Sequence, residues 1–340
     1  MFAWQYISTK AGIEKNFVLN RNVPVPSLPK KGSAVLVKVS SVSINPQDYK
    51  RPEILFGRFS LPPPSTPGTD FVGIVHETTD PAFAKGDIIF GSIGAPRKQG
   101  ALAEYVVTET DQVANVPIAL LEPGFELAPF ACIGTAGLTA LQAFRGLESG
   151  AHVFVNGGSG GVGTFCISIA KNVAKCGKVV VTCSAANTDL VKGLNADEVI
   201  DYRNQNVVQT LIQSAQHTRR KFDLVIDTVG NDPNLYWKSH LYLADDGRFV
   251  QIGIPDLGSL WDVVKMSIWP AFLGGGRRKY SILVLNMERK DMEEMGEWVA
   301  SGKIKVVIDE VYDLDGVPRA FSKLKSGRAK GKLVITLASK

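Results

Sequence analysis

Five glycines fall within nine residues of the stretch VNGGSGGVG, which runs from Val155 to Gly163. Three of them fit G-x-G-x-x-G, and the motif lies between an apolar stretch, HVFV, and a helix-like stretch, TFCISIAKNVAK. In that context the first glycine permits a tight turn, the second lets the backbone approach a pyrophosphate, and the third lets helix and strand pack closely. A flexible surface turn is the alternative. The predicted dinucleotide-binding residues of this loop are Gly158, Ser159, Gly160, Gly161, Val162 and Gly163.

The residues after the next apolar stretch indicate which dinucleotide is bound. NAD-binding proteins usually place Asp or Glu there to accept from the ribose 2′-hydroxyl, but this chain has Ser184, and no carboxylate occurs before Asp189. A hydroxyl can donate to a 2′-phosphate, whereas a carboxylate would repel it. Lys192 and Tyr202 follow in the next helix and after the next strand, although Lys192 could equally lie on a solvated face. The sequence therefore favours NADPH over NADH. The remaining predicted cofactor contacts on this side are Asn187, Ile252 and Gly253.

The elements around these residues change character along the chain. Up to about residue 120, short β-rich stretches are separated by Pro and Gly clusters, which is typical of an irregular antiparallel barrel or sandwich. From about residue 125, apolar strands alternate with helix-length segments, which predicts βαβ units and a parallel sheet. After about residue 281, strand-like stretches return around one helix. We therefore predict an α/β fold with the C-terminal segment back on the first domain.

Composition excludes several other classes. The 340 residues include 38 Lys and Arg against 33 Asp and Glu, a mildly basic balance spread thinly, so we expect no nucleic-acid partner. The four cysteines form no C-x-x-C pair, and we interpret them as reduced thiols of a cytoplasmic protein. The uncharged stretch 127–144 contains Pro and Gly, so a buried helix with its approach loop is favoured over a membrane span.

Seven motifs occur in an order that resembles a known family. They are SINPQDYK (43–50), TPGTDFVGIV (66–75), GALAEYVV (100–107), TAGLTALQAF (135–144), NGGSGGVG (156–163), CSAANTDLVKGLNADEVIDY (183–202) and GRAKGKLVI (327–335). Together they resemble the medium-chain dehydrogenase/reductase superfamily, specifically its zinc-free quinone oxidoreductase and fungal trans-acting enoyl reductase branch. The quinone reductases commonly have Pro at the position of Gly134.

The resemblance implies the domain organisation. A GroES-like, β-rich catalytic domain is expected over residues 1–124 and 282–340, and a Rossmann domain with a doubly wound parallel sheet over 125–281. The active site is expected in the cleft between the two domains. Relatives often form dimers through the last Rossmann strand, and the sequence leaves a monomer or a homodimer open.

The resemblance also indicates whether this chain has the ligands for a zinc ion. Zinc alcohol dehydrogenases of the superfamily have Cys at the position of Asn45 and a His-Glu pair at the positions of Thr69 and Asp70. The cysteine-rich structural zinc lobe is missing as well, since 91–103 contains no Cys. Without a Lewis acid nothing here acidifies an alcohol oxygen. From the missing ligands we expect no metal site, and therefore no oxidation of alcohols at zinc.

The chemistry that remains is reduction of an activated C=C bond in an enone, quinone or enoyl substrate, by hydride transfer from NADPH. The resemblance gives Asn45 and Thr139 the binding of the nicotinamide ribose and carboxamide. Pro46 fixes the loop and Asp48 orients it. Lys50 is a candidate for stabilising the enolate, against a plain surface lysine, and Tyr49 is a candidate proton donor, against a packing aromatic; water could also supply the proton.

One stretch is open to several interpretations. Trp261, Trp269, Phe272 and Leu273 could line an apolar substrate pocket, cover a subunit interface or pack in the core, with a hinge at 274–276. The basic cluster 277–280 could contact a carrier's phosphopantetheine or be a solvated turn. Two alternatives to a small-enone reductase follow: a trans-acting enoyl reductase that serves a polyketide synthase, and a cofactor-binding protein without catalysis.

Overall fold

A computed structural model describes residues 1–54, 57–94, 97–120, 124–253, 257–269, 273 and 275–337. The strands are β1 Ala3–Tyr6, β2 Phe17–Asn20, β3 Ala34–Ile44, β4 Asp70–Thr78, β5 Ile88–Ser92, β6 Tyr105–Glu109, β7 Val113–Asn115, β8 His152–Asn156, β9 Lys178–Cys183, β10 Glu198–Asp201, β11 Phe222–Asp227, β12 Leu243–Gln251, β13 Lys279–Ile282, β14 Ile308–Tyr312 and β15 Lys332–Thr336. The helices are α1 Pro46–Glu53, α2 Gly57–Ser60, α3 Ala128–Ala131, a π-helical turn Ile133–Gly137, α4 Leu138–Ala143, α5 Gly161–Asn172, α6 Thr188–Gly193, α7 Val207–Thr218, α8 Asn234–Trp237, α9 Leu257–Ile268, α10 Arg289–Ala300 and α11 Val317–Lys325.

The chain divides into two compact units. The first comprises 1–138, 286–302 and 306–340, and the second comprises 139–285 and 303–305. The domain limits given by the sequence stay a prediction. No helix in the described part of the chain is long and apolar enough to cross a membrane.

The first unit is built on a β-sheet with the strand order β14-β15-β3-β4-β5-β7, and β6 pairs with β3. Its pairs are antiparallel apart from β14 with β15. The long central strand β3 alternates apolar side chains into a core that includes Val35, Val37 and Phe71. The predicted antiparallel character of this region is confirmed. The last strand, β15, pairs directly with β3, so residues of the C-terminal segment reach the centre of the sheet.

The second unit has a parallel sheet with the order β10-β9-β8-β11-β12-β13. Counted from β8 this is 3-2-1-4-5-6, the doubly wound order of dinucleotide-binding domains. The order reverses between β8 and β11, where ligands bind such sheets beyond the carboxyl ends of the strands. The predicted α/β fold with a Rossmann sheet is confirmed.

Candidate active site

The glycine loop connects β8 to α5, as the motif predicted. The tight turn falls at Gly157, whose φ is +88°, and its N–H donates to Thr182 Oγ1 at 2.8 Å. The motif predicts this turn at Gly158, but Gly158 is not among the glycines of the described chain that have a positive φ. Gly158 is required for packing instead, because a Cβ there would lie 2.7 Å from Val181 Cβ. The sequence pattern thus located the loop and misassigned the turn by one residue.

The other two motif glycines have separate roles. A Cβ at Gly163 would lie 2.1 Å from Gly157 O, so only glycine lets α5 approach the loop this closely. At Gly160, the N-cap of α5, an added Cβ would lie 3.4 Å from Gly157 O, which is an ordinary contact and not a clash. The N–H groups of Gly161 and Val162, in the first turn of α5, have no intrahelical acceptor and suit an anion. The loop therefore fits a pyrophosphate.

The end of β9 carries the residues expected to recognise the ribose. Ser184 follows the strand directly and caps a short 3-10 turn, Ala185–Asn187. Asn187 Nδ2 donates to Ser159 Oγ at 3.0 Å, which joins this turn to the glycine loop. Lys192 is exposed in the last turn of α6.

Tyr202 directly follows the neighbouring strand, β10. Because Asp201 of β10 pairs with Cys183 of β9, Tyr202 and Ser184 follow adjacent positions at the same sheet edge. The Tyr202 side chain is 52% exposed, and the guanidinium of Arg203 lies 5.9 Å from its ring centre. Sequence reasoning missed Arg203, a further cation at this edge. Its place directly after a predicted strand end was the available signal.

A buried row of polar side chains crosses the strand ends at the point where the sheet order reverses. Thr182 Oγ1 donates to Asn156 Oδ1 at 2.7 Å, and Asn156 Nδ2 donates to Asp227 Oδ1 at 2.9 Å. Burial raises the pKa of Asp227, while hydrogen bonds from the N–H groups of Val229 and Gly230 oppose that rise. These residues come from β8, β9 and β11 and fix the floor beneath the glycine loop. No single sequence motif contains them.

Two predicted cofactor contacts lie beside this row. The N–H groups of Ile252 and Gly253 both donate to Asp227 O, at 2.8 and 3.0 Å. A Cβ at Gly253 would lie 2.3 Å from Thr228 O, so the β12 end packs closely on the β11 end. Ile252 and Gly253 thus lie at the carboxyl end of β12, and their N–H groups are already used in hydrogen bonds to the end of β11.

In the first unit, Asn45 stands at the start of α1 and is deeply buried. Its N–H donates to Asp48 Oδ2 at 2.7 Å, with Pro46 at the first helical position. Its Nδ2 donates to Asp70 Oδ2 at 2.8 Å, and its Oδ1 accepts from Lys332 Nζ at 2.5 Å. Most of the Asn45 amide is therefore engaged inside this unit. Lys332, only 3% exposed, was missed by sequence reasoning.

Asp48 is the helix-capping carboxylate of α1. Burial raises its pKa to about 7, the hydrogen bond from Asn45 N lowers it, and the nearby Asp70 raises it. Lys332 and Arg51 act in the lowering direction. The contact with the Asn45 backbone fixes the start of α1, and the orienting role of Asp48 stays a prediction.

Of the three positions that the resemblance gives to zinc ligands, Asn45 and Thr69 carry neutral side chains, and Asp70 carries a carboxylate that is bonded by Asn45 and Thr135. Gln47 Nε2 lies 3.1 Å from both Thr69 Oγ1 and Thr135 Oγ1 and donates to them. Thr135 donates through Oγ1 to Asp70 Oδ1 at 2.8 Å, and its N–H bonds Asp70 Oδ2 at 2.9 Å. Within the described ranges, no three His, Cys, Asp or Glu side chains are grouped so as to hold a metal ion. Amides and threonine hydroxyls are a poor donor set for zinc.

The surroundings of Gly134 explain why this chain has glycine where quinone reductases commonly have proline. It lies in the π-helical turn, and a Cβ there would be 2.6 Å from Asp70 Oδ1 and 2.9 Å from Ser92 Cβ. The side chain of a larger residue would displace Asp70 from Thr135. Glycine at this position is thus coupled to the buried Asp70.

The four predicted catalytic residues lie in different surroundings. Tyr49 is half-buried against the core, with the ammonium of Lys325 5.3 Å from its ring centre, and burial raises its pKa. These contacts resemble those of a packing aromatic. Lys50 is half-buried in α1, and Thr139 is buried in α4 at the start of the second unit.

The stretch that was open to several interpretations is partly exposed. Trp261 and Trp269 are 64% and 50% exposed, so they do not pack in the core, whereas Val263 and Met266 of α9 do. Leu273 is exposed as well, and Phe272 and Gly274 lie outside the described residues. In the basic cluster, Arg278 bonds the carbonyl oxygens of Leu243 and His240, and the carboxylate of Asp245.

Comparisons with known proteins agree with this architecture. The family model of the alcohol dehydrogenase GroES-like domain matches residues 31–118, and that of zinc-binding dehydrogenase matches 194–335. A trans-enoyl reductase of Aspergillus terreus is 38% identical over 99% of this chain and 96% of the relative. A 2-methylene-furan-3-one reductase of Solanum lycopersicum is 32% identical over 98% of this chain and 79% of the relative. The quinone oxidoreductase structure from Coxiella burnetii has a TM-score of 0.83 and 27% identity, with 99% of each chain covered.

A GroES-like unit combined with a nicotinamide-dinucleotide-binding Rossmann unit defines an oxidoreductase. The chain belongs to the medium-chain dehydrogenase/reductase superfamily, as the sequence motifs had indicated.

Proposed function

We propose that this protein is an NADPH-dependent, zinc-independent reductase of activated C=C bonds in enones, quinones or enoyl compounds. The observation that carries the proposal concerns the positions where dehydrogenases of the superfamily place metal ligands: two of them carry the neutral side chains Asn45 and Thr69, and the carboxylate at the third, Asp70, is bonded by Asn45 and Thr135. Such a set can donate hydrogen bonds to a carbonyl but cannot act as a Lewis acid. The relatives named as enoyl, furanone and quinone reductases support the same substrate class.

The residues of the second unit fit NADPH. The start of α5 would hold the pyrophosphate, and Ser184, Lys192 and Tyr202 would meet the 2′-phosphate, since the strand end presents a hydroxyl where NAD-binding proteins have a carboxylate. Thr139 and Asn45 would meet the nicotinamide and its ribose, as the resemblance implies. A bound reduced nicotinamide supplies a hydride. The protein's own task is then to orient the carbonyl compound and to stabilise the negative charge that develops on its oxygen.

The experiment is NADPH oxidation by the purified protein with 4-phenyl-3-buten-2-one, 1,4-naphthoquinone and crotonyl thioesters. We expect turnover with NADPH to exceed turnover with NADH, and elemental analysis to find no stoichiometric zinc. NADP⁺ reduction by a panel of primary and secondary alcohols is the control and should be negligible. Zinc-dependent alcohol oxidation would contradict the proposal. Intact NADPH binding without any turnover would favour a non-catalytic protein.

A second candidate is a trans-acting enoyl reductase, which acts on an acyl chain carried by a polyketide synthase. The 38% identity to a trans-enoyl reductase over nearly the whole chain favours it. The comparison is between the rate with a crotonyl N-acetylcysteamine thioester and the rate with the same acyl group on an acyl carrier protein. Activity confined to the carrier-bound form would establish this candidate in place of the small-enone reductase.

A further inference from the structure

Thr69 lies at the wall of a cavity in the first unit. The cavity opens to solvent, and its lining includes Gln47, Arg51, Thr69 and Ile93. The Thr69 backbone is fixed, because its carbonyl oxygen accepts from Ile93 N at 2.8 Å and β4 begins at the next residue, Asp70. The side chain is half-buried, so it is both held and accessible.

The Thr69 hydroxyl acts as an acceptor in the hydrogen-bond network around it. Gln47 Nε2 donates to the hydroxyls of both Thr69 and Thr135 at 3.1 Å. The Thr135 hydroxyl donates its own hydrogen bond to Oδ1 of the buried Asp70 at 2.8 Å. In the described part of the chain, the Thr69 hydroxyl accepts a bond but donates none. Its proton is therefore available at the cavity wall, and a hydroxyl that already accepts a hydrogen bond is a stronger donor.

We propose that the Thr69 hydroxyl donates a hydrogen bond to the carbonyl oxygen of the substrate and to the enolate oxygen that develops from it, an inference that rests on the proposed reductase function. The hydride that a bound NADPH would give up, leaving NADP⁺, would form the C–H bond at the β-carbon; the π pair of the C=C bond then shifts toward the carbonyl, and its oxygen becomes negative. Thr69 keeps its proton, and solvent protonates the α-carbon. Gln47 is a positioning residue, because its Nε2 donates to a lone pair of the Thr69 oxygen. Thr135, which is bonded to Asp70, accepts from the same Nε2 and holds Gln47 in place.

The test compares Thr69→Val, which keeps the shape, with Thr69→Ser, which keeps the hydroxyl. Removal of one oxyanion donor in other enzymes lowers kcat by about 100-fold or more. We expect a loss of about 100-fold for Thr69→Val with 4-phenyl-3-buten-2-one and unchanged NADPH binding, and activity within a few fold of wild type for Thr69→Ser. Thr210→Val, which removes a hydroxyl bonded to Asn206 O on α7, is the matched control. Wild-type kcat in Thr69→Val would overturn the proposal.

A second readout does not depend on turnover. The saturated ketone 4-phenyl-2-butanone, labelled with carbon-13 at the carbonyl, reports hydrogen bonding through its infrared stretching frequency. We expect a shift to lower frequency on binding to wild type, the same shift with Thr69→Ser, and its loss with Thr69→Val. An unshifted carbonyl in wild type, or no binding, would overturn the role of Thr69. Failure of the wild-type protein to consume NADPH with any carbonyl substrate would instead contradict the proposed function, and the infrared comparison would still decide the role of Thr69.

Discussion

Asn187 and Ser159 are joined by a side-chain hydrogen bond of 3.0 Å between Nδ2 and Oγ. The bond connects the turn after β9, where the ribose is expected, with the loop that suits the pyrophosphate. The two parts of the proposed cofactor site are thus held in one arrangement before any cofactor binds. Preorganisation of this kind lowers the entropic cost of binding.

Lys192 provides a test of cofactor choice. Replacing it with Ala should weaken NADPH binding by about 1 to 3 kcal/mol, the scale of a lost hydrogen bond to a charged group, and leave NADH binding nearly unchanged. Isothermal titration calorimetry measures both. Lys238→Ala removes an exposed charge elsewhere in the second unit and is the control. Equal losses for the two cofactors would show that Lys192 does not contact the 2′-phosphate.

The motif glycines should respond differently to the same substitution. Gly163→Ala places a Cβ 2.1 Å from Gly157 O, so we expect the free energy of unfolding to fall by about 1 to 3 kcal/mol, as for an overpacked core. Gly160→Ala meets its nearest atom at 3.4 Å, so it should cost less stability while obstructing the pyrophosphate. Urea unfolding and NADPH titration separate the two effects. Equal stability losses in both variants would contradict this division.

Asp48 predicts a pH dependence of stability. Its folded pKa of about 7 lies above the ordinary value, so between about pH 4 and pH 7 the native state binds a proton that the unfolded state has released. The contribution of Asp48 to stability therefore decreases as pH rises through this window. Asp48→Asn keeps an oxygen for the Asn45 N–H and should flatten the profile between pH 5 and pH 8 in urea unfolding. Exposed Asp315→Asn should keep the wild-type profile; a wild-type slope in Asp48→Asn would contradict the prediction.

Gly134 should be intolerant of substitution. In Gly134→Ala the new Cβ meets Asp70 Oδ1 at 2.6 Å, which forces Asp70 or the π-helical turn to move. We expect a loss of about 1 to 3 kcal/mol in the free energy of unfolding, measured by thermal or urea denaturation. Gly193→Ala, where a Cβ meets no atom within 4 Å, is the matched control. Retention of wild-type stability in Gly134→Ala would show that the turn relaxes at no cost.

The sequence predicted local features well. The alternation of strands and helices after residue 125 and the strand-loop-helix context of the glycine motif both rest on patterns within about 20 residues, and the structure confirms the resulting fold. For the same reason, Ser184 at the end of β9 could be located by counting from the glycines.

Features that join distant segments could not be predicted. Asn156 and Asp227 are 71 residues apart and meet only because β8 and β11 are neighbours in the sheet. In the sequence, Lys332 is one of several basic residues in the stretch GRAKGK, and nothing there indicates that it is buried. The pairing of β15 with β3 is what buries it against Asn45. Gln47 and Thr135 likewise gain significance from a contact across 88 residues.

The contact of Lys332 with Asn45 also has a consequence for biosynthesis. The two residues are 287 positions apart, and the last strand of the parallel sheet ends at Ile282, before Lys332 is made. At about 5 to 20 residues per second, a ribosome needs about 15 to 60 s to travel from one residue to the other. During that interval the β3 edge and the side-chain oxygen of Asn45 lack the partners that β15 later supplies. The nascent first unit should therefore be a client of chaperones that shield exposed strands until β15 emerges.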